Sequence, residues 1–424
     1  MGGTTAEALT GNGKQALGLV ARALRSRGAR TVLVPRYRCE AMVLPFELEG
    51  MGTRAVDVGP DLLLEPRALA TALADEPGAA VLHCETYGNR ARGDLADLLV
   101  QARRTGRAVI ADATHSLLDR PRLLDGAADV VVASLRKLLP VPDGAVIAWD
   151  PAGPLDAPLS ASVREMERRE ADARVESLGL ALLDAERAFA RAPRAAPAEQ
   201  AARERMRRRV CEIAARHEAA IEQALTPVPA SASTVRRLTG GAGRSAGRAA
   251  HARALHEAVA TMTAGGPAGV RVINPGSVGC VALQGPRPLV EELAGALARA
   301  GLWGPVSWDG PDDPGAPDGP CGPEASGGAE NPGTTDGQTA LNGPDDSRTP
   351  GGPGGSAVPG APGAAPEETA GARPWPAVVT LPTDALERAD ELLDVVARSL
   401  RVHIRPPSPT AAPRRPPVRS PQKP

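Results

Sequence analysis

The chain has 424 residues, 49 basic and 50 acidic side chains, a formal net charge of −1 and only 2% aromatic residues. That length allows two domains and a sizeable core of Ala, Val and Leu, and the near-zero charge gives no electrostatic basis for nucleic acid or an acidic membrane as partner. No apolar run reaches transmembrane length, the opening MGGTTAEALTGNGK lacks a basic-then-apolar signal region, and five scattered cysteines without C-x-x-C spacing argue against a disulfide framework or zinc site and for a reducing, cytoplasmic setting.

In chain order, KQALGLVARALRSR (14–27) places Ala16, Leu17, Val20, Ala21 and Leu24 on one helical face, stopped by Gly28. The glycine-containing turn before it, TGNG, offers backbone N–H groups to an anion at a helix start. The strand TVLVP (31–35), the helix-compatible CEAMVLPFELEG (39–50) and the strand RAVDV (54–58) follow. Then come the helix 66–76, the strand AAVLHC (79–84), the helix 93–106 with Asp94 as its expected N-cap, and the strands 107–112, 129–134 and 144–149. Short apolar strands alternating with amphipathic helices predict an α/β fold with a mostly parallel sheet. In such sheets ligands sit at the carboxyl ends of the strands.

Residues 160–225 suit long helices broken near Pro193 and Pro197, and 228–248 is polar and glycine-rich, expected to be a loop. His217, His251 and His256 fall on Ala/Arg/Glu-rich stretches and are expected to face solvent, whereas Cys39 and Cys84 are expected to be buried. Strands at 269–275, 278–284 and 377–382 and helices at 288–301 and 383–400 predict a small α+β domain. The predicted organisation is a large domain over 1–160, a helical connector over 161–227, a small domain from 228–308 and 374–402, a disordered Gly/Pro-rich insertion over 309–373 and a disordered tail over 403–424.

Lysine occurs only at Lys14, Lys137 and Lys423. An arginine side chain stays charged, but a lysine amine can be deprotonated and form a Schiff base. Lys137 lies just past an apolar strand, and Asp112 ends the preceding one. A carboxylate and an amine at neighbouring strand ends can serve a pyridoxal phosphate (PLP) ring, the amine on the aldehyde carbon and the carboxylate on the ring nitrogen. Ser134 and the amides near Gly13 can take the phosphate.

ADATHS followed by ASLRKLLPVPDGAVI resembles the fold type I PLP-dependent aminotransferases, most closely their DegT/DnrJ-like sugar aminotransferase branch. GNGKQAL, VPRYRCEAMVLPFELEG and HCETYGN resemble further segments of that family, in the same order. The resemblance implies a three-layer PLP-transferase-like large domain with a small C-terminal domain, and PLP held by Lys137 as an internal aldimine. It implies Asp112 on the ring nitrogen, with His115 supporting it, and Ser134 on the phosphate. Asn12, Gly13, Lys14, Asn89 and Arg136 are the further cofactor candidates, and Tyr37 and Tyr87 the substrate-pocket candidates. An amino-acid donor, a keto-sugar or similar small keto acceptor and a homodimer complete the expectation, with no nucleic acid, membrane or metal partner. Asn12 stands where the family has a serine, and the insertion has no family counterpart. Two alternatives stay open: another PLP reaction on the same fold (lyase, decarboxylase or dehydratase), and a catalytically degenerate PLP-fold binding protein.

Overall fold

The computed structural model describes residues 5–120, 122–124, 126–193, 197–241, 247–264, 269–302, 377–383 and 388–402. The insertion 309–373 and the tail 403–424 lie outside the described residues. The first described element is a strand that composition did not reveal, β1 (Ala6–Thr10), followed by α1 (Gly13–Ser26) and β2 (Thr31–Pro35). The segment expected to be helix-compatible at 39–50 divides into a 3-10 turn (Glu40–Met42) and α2 (Leu44–Leu48), with Pro45 in the first helical turn, where its missing N–H costs nothing. After β3 (Gly52–Val56), α3 (Pro66–Asp75), β4 (Ala80–Cys84), α4 (Gly93–Arg104), β5 (Val109–Asp112), β6 (Val130–Ser134) and β7 (Ala145–Trp149) complete a seven-stranded sheet. Asp94 is not the cap of α4: Arg92 occupies that position and Asp94 lies in the first turn, where its charge still complements the helix dipole.

The strand order is β1-β7-β6-β5-β4-β2-β3. β7 pairs antiparallel with both β1 and β6, and the remaining pairs are parallel, so only β7 runs against the rest. Side chains alternate across the pleat. On β6, Val130 and Val132 pack into the cluster shared with α1 and α5, while Val131 and Ala133 enter the one shared with α3 and α4. Both faces are therefore covered, which explains the unbroken apolar runs of the central strands.

The helices α5 (Asp156–Met166), α6 (Ala173–Arg191) and α7 (Pro197–Gln223) follow. Gly179 on α6 lies so close to the Pro142 carbonyl that any Cβ there would collide with it. The expected loop at 228–248 contains α8 (Ala232–Thr239), whose start is fixed by Ser231 accepting from the Thr234 N–H at 3.2 Å. A glycine-rich, polar segment hid this cap. Next come α9 (Arg248–Ala264), β8 (Arg271–Val272), β9 (Cys280–Gly285), α10 (Arg287–Ala300), β10 (Ala377–Pro382) and α11 (Ala389–Val402). β10, β9 and β8 form an antiparallel three-stranded sheet over an aliphatic core that includes Val281, Leu283, Leu293, Val379 and Leu392. His217 on α7 and His256 on α9 are buried, at 2% and 7% exposure, contrary to the expectation of solvent-facing rings. Ala-rich helices bury small side chains on several faces, so periodicity does not identify which face a histidine occupies. Among the described residues no helix is long and apolar enough to cross a membrane.

Candidate active site

Three parallel strands end side by side. In register, Cys84 at the end of β4 lies opposite Asp112 at the end of β5, and Asp112 lies opposite Val132 on β6, two residues before Ser134. This is the edge of an open α/β sheet at which ligands bind. Asp112 is buried, and burial raises its pKa above the ordinary carboxylate range. Three partners oppose that rise: the Thr114 hydroxyl and the Thr114 N–H, which donates to Oδ1 at 2.9 Å, and the charge of Lys137. The Thr114 Oγ1 also accepts from the Ser134 N–H at 3.0 Å.

Lys137 sits half-buried in the turn after β6. That turn is anchored through Leu135, whose N–H donates to the Gly144 carbonyl and whose carbonyl accepts from Leu138 and Leu139. Leu135 and Leu138 are buried on either side of the lysine. From there the Lys137 charge acts on both Asp112 and His115.

The start of α1 closes the other side. Asn12 caps the helix, its Oδ1 accepting from Gln15 N–H at 3.0 Å while its Nδ2 donates to the Ala224 carbonyl at 3.0 Å. The Asn12 side chain is thus committed to building the turn. The N–H groups of Gly13 and Lys14 have no intrahelical partner, as in any first helical turn. A Cβ built on Gly13 would stand 3.7 Å from the Ser134 Cβ, an ordinary van der Waals distance, so the helix start and Ser134 are immediate neighbours. Lys14 is half-buried and its pKa is lowered by that burial, against the pull of Glu222 and Glu218 on α7. Arg136 points elsewhere: its guanidinium forms a two-pronged ion pair with Glu218, one arm at 2.8 Å.

His115 accepts from the Tyr87 N–H at its Nδ1, at 3.0 Å, and stacks on the Tyr87 ring with centroids 5.7 Å apart and planes 11° from parallel. Burial, then the Lys137 charge, pushes its pKa well down, so the ring is neutral and carries its hydrogen on Nε2. Tyr87 adopts a left-handed φ of 54°, and its hydroxyl meets that of Tyr37 at 2.8 Å. The two tyrosines of the chain are therefore in contact, both fully buried. Asn89 spends its Nδ2 on the carbonyls of Asp61 and Ile273, at 2.9 and 3.1 Å, bracing the turn after β4 against the strand-rich C-terminal part.

Three residues that spacing did not single out support the site. Thr114 connects Asp112 with Ser134, as described. Glu85, directly after β4, donates its N–H to the Asp112 carbonyl at 2.9 Å and accepts from Ser116 and from two nitrogens of Arg120. Both ends of the Glu85–Arg120 pair are nearly inaccessible to water. Arg120 is one of many arginines, and nothing in its sequence context distinguishes it. Among the described residues Cys39, Cys84 and Cys280 form no disulfide, and Cys39 is only half-buried. A groove of about 660 Å³ beside β1 is lined by leucines including Leu9, Leu118, Leu135 and Leu139, and none of Asp112, His115, Ser134 or Lys137 lines it. No cluster of His, Cys, Asp and Glu suited to a metal ion occurs among the described residues.

The structure thus brings Asp112, His115, Lys137, Ser134 and the first turn of α1 to one end of the sheet. It turns Asn12, Asn89 and Arg136 toward protein partners. Chemically, the arrangement supplies an amine able to bond a carbonyl carbon, a buried carboxylate able to pair with a cation and backbone N–H groups for an anion.

No family model matches the sequence, and no curated protein matches it. Solved structures do resemble the fold. PseC of Helicobacter pylori, an aminotransferase involved in the biosynthesis of pseudoaminic acid, matches over 93% of this chain and 87% of its own at 8% identity and a TM-score of 0.50. A DegT DnrJ EryC1 StrS aminotransferase from Brucella abortus matches over 70% of this chain and 69% of its own, at 18% identity and a TM-score of 0.40. DesV of S. venezuelae, solved with a ketimine intermediate, matches over 70% and 68% at 19% identity and a TM-score of 0.40. At these identities the likeness establishes the fold: an α/β architecture of the aminotransferase type.

Proposed function

We propose that this protein is a PLP-dependent aminotransferase that moves an amino group from an amino acid to a keto sugar or similar small keto compound. The observation that carries the proposal is the pairing at the sheet end: a buried Asp112 within the field of Lys137, beside a Ser134 that faces the first turn of α1. These residues fit the cofactor. Lys137 would hold it through its amine, Asp112 would face the ring nitrogen, and Ser134 with the N–H groups of Gly13 and Lys14 would take the phosphate. When bound, PLP supplies an electron sink for the carbon that carries the amino group.

The chain's own residues supply the rest. A carboxylate at Asp112 favours a protonated ring nitrogen, and Thr114 helps to keep Asp112 charged against burial. The Lys137 amine is the base and acid for the proton on the substrate carbon. Neutral His115 presents an N–H rather than a second positive charge beside Lys137. The buried Tyr37–Tyr87 pair fixes the ring against which His115 stacks. The name of PseC supports the reaction class, the sequence resemblance supports the sugar-like acceptor, and a homodimer in the cytoplasm belongs to the same proposal.

Spectroscopy tests it. PLP added to the purified protein should produce a visible band, and borohydride should trap the cofactor on Lys137. Glutamate or another amino donor should then convert the band to that of the pyridoxamine form. A protein that stays colourless with PLP, and whose spectrum is unchanged in Lys137→Ala, would overturn the proposal.

A further inference from the structure

We infer that Arg248 is a positioning residue for Lys137, its guanidinium joining the end of the lysine's turn to the three-stranded sheet. The inference deepens the proposed function and, for the cofactor, rests on it. The bonds themselves stand independently. Arg248, the first residue of α9, is buried at 6% exposure. Its Nη1 donates to the Leu138 carbonyl at 2.9 Å and its Nε to the Thr383 hydroxyl at 3.3 Å. These partners lie 110 and 135 residues away along the chain, so no local pattern marks this arginine among the others.

The turn that carries Lys137 is fixed at both ends. At its entry the Leu135 N–H donates to the Gly144 carbonyl. At its exit the Leu138 N–H returns to the Leu135 carbonyl, and the Leu138 carbonyl takes the Arg248 bond. Lys137 lies between these points. A guanidinium is planar and presents its donors in a fixed fork, so one rigid group sets the distance between its two acceptors. The second acceptor belongs to the three-stranded sheet. Thr383 directly follows β10, and its hydroxyl hydrogen is shared between the carbonyls of Val278 and Gly279, at 2.6 and 2.9 Å, just before β9. A hydroxyl that donates there keeps its lone pairs for the Arg248 Nε–H, so these bonds form together.

The loop held by Thr383 abuts the site. A Cβ on Gly279 would stand 2.7 Å from the His115 carbonyl and 3.3 Å from the Leu138 side chain, so the approach requires glycine. On the other flank the Val278 N–H and the Ser277 hydroxyl donate to Asp119 at 2.7 and 3.1 Å. Residues 277–279 are therefore bonded to the segment after His115 through Asp119, and to the Lys137 turn through Thr383 and Arg248. The consequence is geometric. An amine on a flexible stem moves farther than its backbone when the turn shifts, and a misplacement of about 1 Å is costly for a reacting group. A turn tied at entry and exit limits that movement.

The test compares the cofactor-free protein with Arg248→Met, Thr383→Val, the double variant and Arg248→Lys, each checked for folding by circular dichroism. Hydrogen exchange read by mass spectrometry follows the amides of 135–139, with those of α3 as a distant control. Arg248→Met should speed exchange in the turn about tenfold, the equivalent of one hydrogen bond, and leave α3 unchanged. Thr383→Val, whose lost hydroxyl bonds Arg248 and the loop rather than the turn, should speed it about threefold. The double variant should exchange within about twofold of Arg248→Met, because both substitutions break one connection. Arg248→Lys, a compact ammonium in place of the fork, should fall between the original protein and Arg248→Met. If methionine prevents folding, the lysine and valine variants decide. PLP affinity, read from the visible band, should weaken about tenfold in Arg248→Met. Turn exchange unchanged in Arg248→Met or in Thr383→Val would overturn the inference. So would a lysine variant equal to the original, which would assign the effect to charge alone, or an equal acceleration in α3, which would make it general destabilisation. If the original protein shows no band with PLP, the proposed function fails, and the exchange alone decides the role of Arg248.

Discussion

The carboxyl ends of β4, β5 and β6 and the three-stranded sheet are built from the same kinds of elements but fill their interiors differently. Under β9 and β10 the core is aliphatic, with Val281, Leu283, Leu293, Val379 and Leu392 excluding water. At the ends of β4 to β6 the buried groups include Asp112, Glu85, Arg120 and a neutral His115. Burying charge is costly unless it is paired or hydrogen-bonded. The first region is organised for stability, whereas the second carries a cost that only a ligand or a partner network can offset. Substitutions in the two should therefore separate binding from folding.

The largest effect after loss of the lysine should come from Asp112→Asn. Turnover with bound PLP should fall about 10²–10³-fold, the range seen when one preorganised electrostatic partner is removed. Stability should move the other way. Because burial raises the Asp112 pKa in the folded protein, the folded state binds that proton more tightly than the unfolded chain does. The cost of the carboxylate is present at pH values above its folded pKa and disappears as pH falls below the ordinary carboxylate range. The asparagine variant, free of cofactor, should melt higher than the original at neutral pH and no higher at strongly acid pH. Thermal scans across pH check this sign.

Arg120→Ala should lose about 3–5 kcal/mol of stability, because it removes the buried, nearer ion-pair partner of Glu85 and leaves only Arg90 at 3.7 Å. Denaturant titration measures it, and cofactor affinity should fall too, since Glu85 also bonds the Asp112 backbone. Leu392→Ala, in the aliphatic core, should lose about 2–5 kcal/mol by cavity formation. Its PLP affinity should remain unchanged at a temperature where it is folded. An equal loss of affinity in both variants would erase the distinction between the regions. The smallest effect is expected at Arg169→Ala, which breaks an exposed i,i+4 pair with Glu165 and should change stability by less than about 0.5 kcal/mol.

Much of this organisation was legible before the structure. Apolar runs placed the central strands within a few residues, since both sheet faces are covered and every position must be apolar. Lys137 and Asp112 stood out because their types and positions relative to two strands restrict the chemistry. β1 and α8 were not legible. β1 mixes exposed and buried positions at a sheet edge, and α8 is started by Ser231 from within a glycine-rich segment. The candidates Asn12, Asn89 and Arg136 had suitable chemistry, but only the fold shows that Ala224, Ile273 and Glu218 occupy their polar groups.

The sequence by itself determined an alternating α/β chain with an amine, a carboxylate and a helix start at the ends of neighbouring elements, because hydrophobic period and residue chemistry are local properties. The tertiary structure alone decided which polar groups meet. Thr114, next to Asp112, reaches Ser134 across 20 residues of chain, Glu85 reaches Arg120 across 35, and Arg136 is drawn to Glu218 across 82. Hydrogen bonds act over about 3 Å of space, whatever the distance along the chain. Partner choice in a buried polar network is therefore set by packing, and no local pattern encodes it.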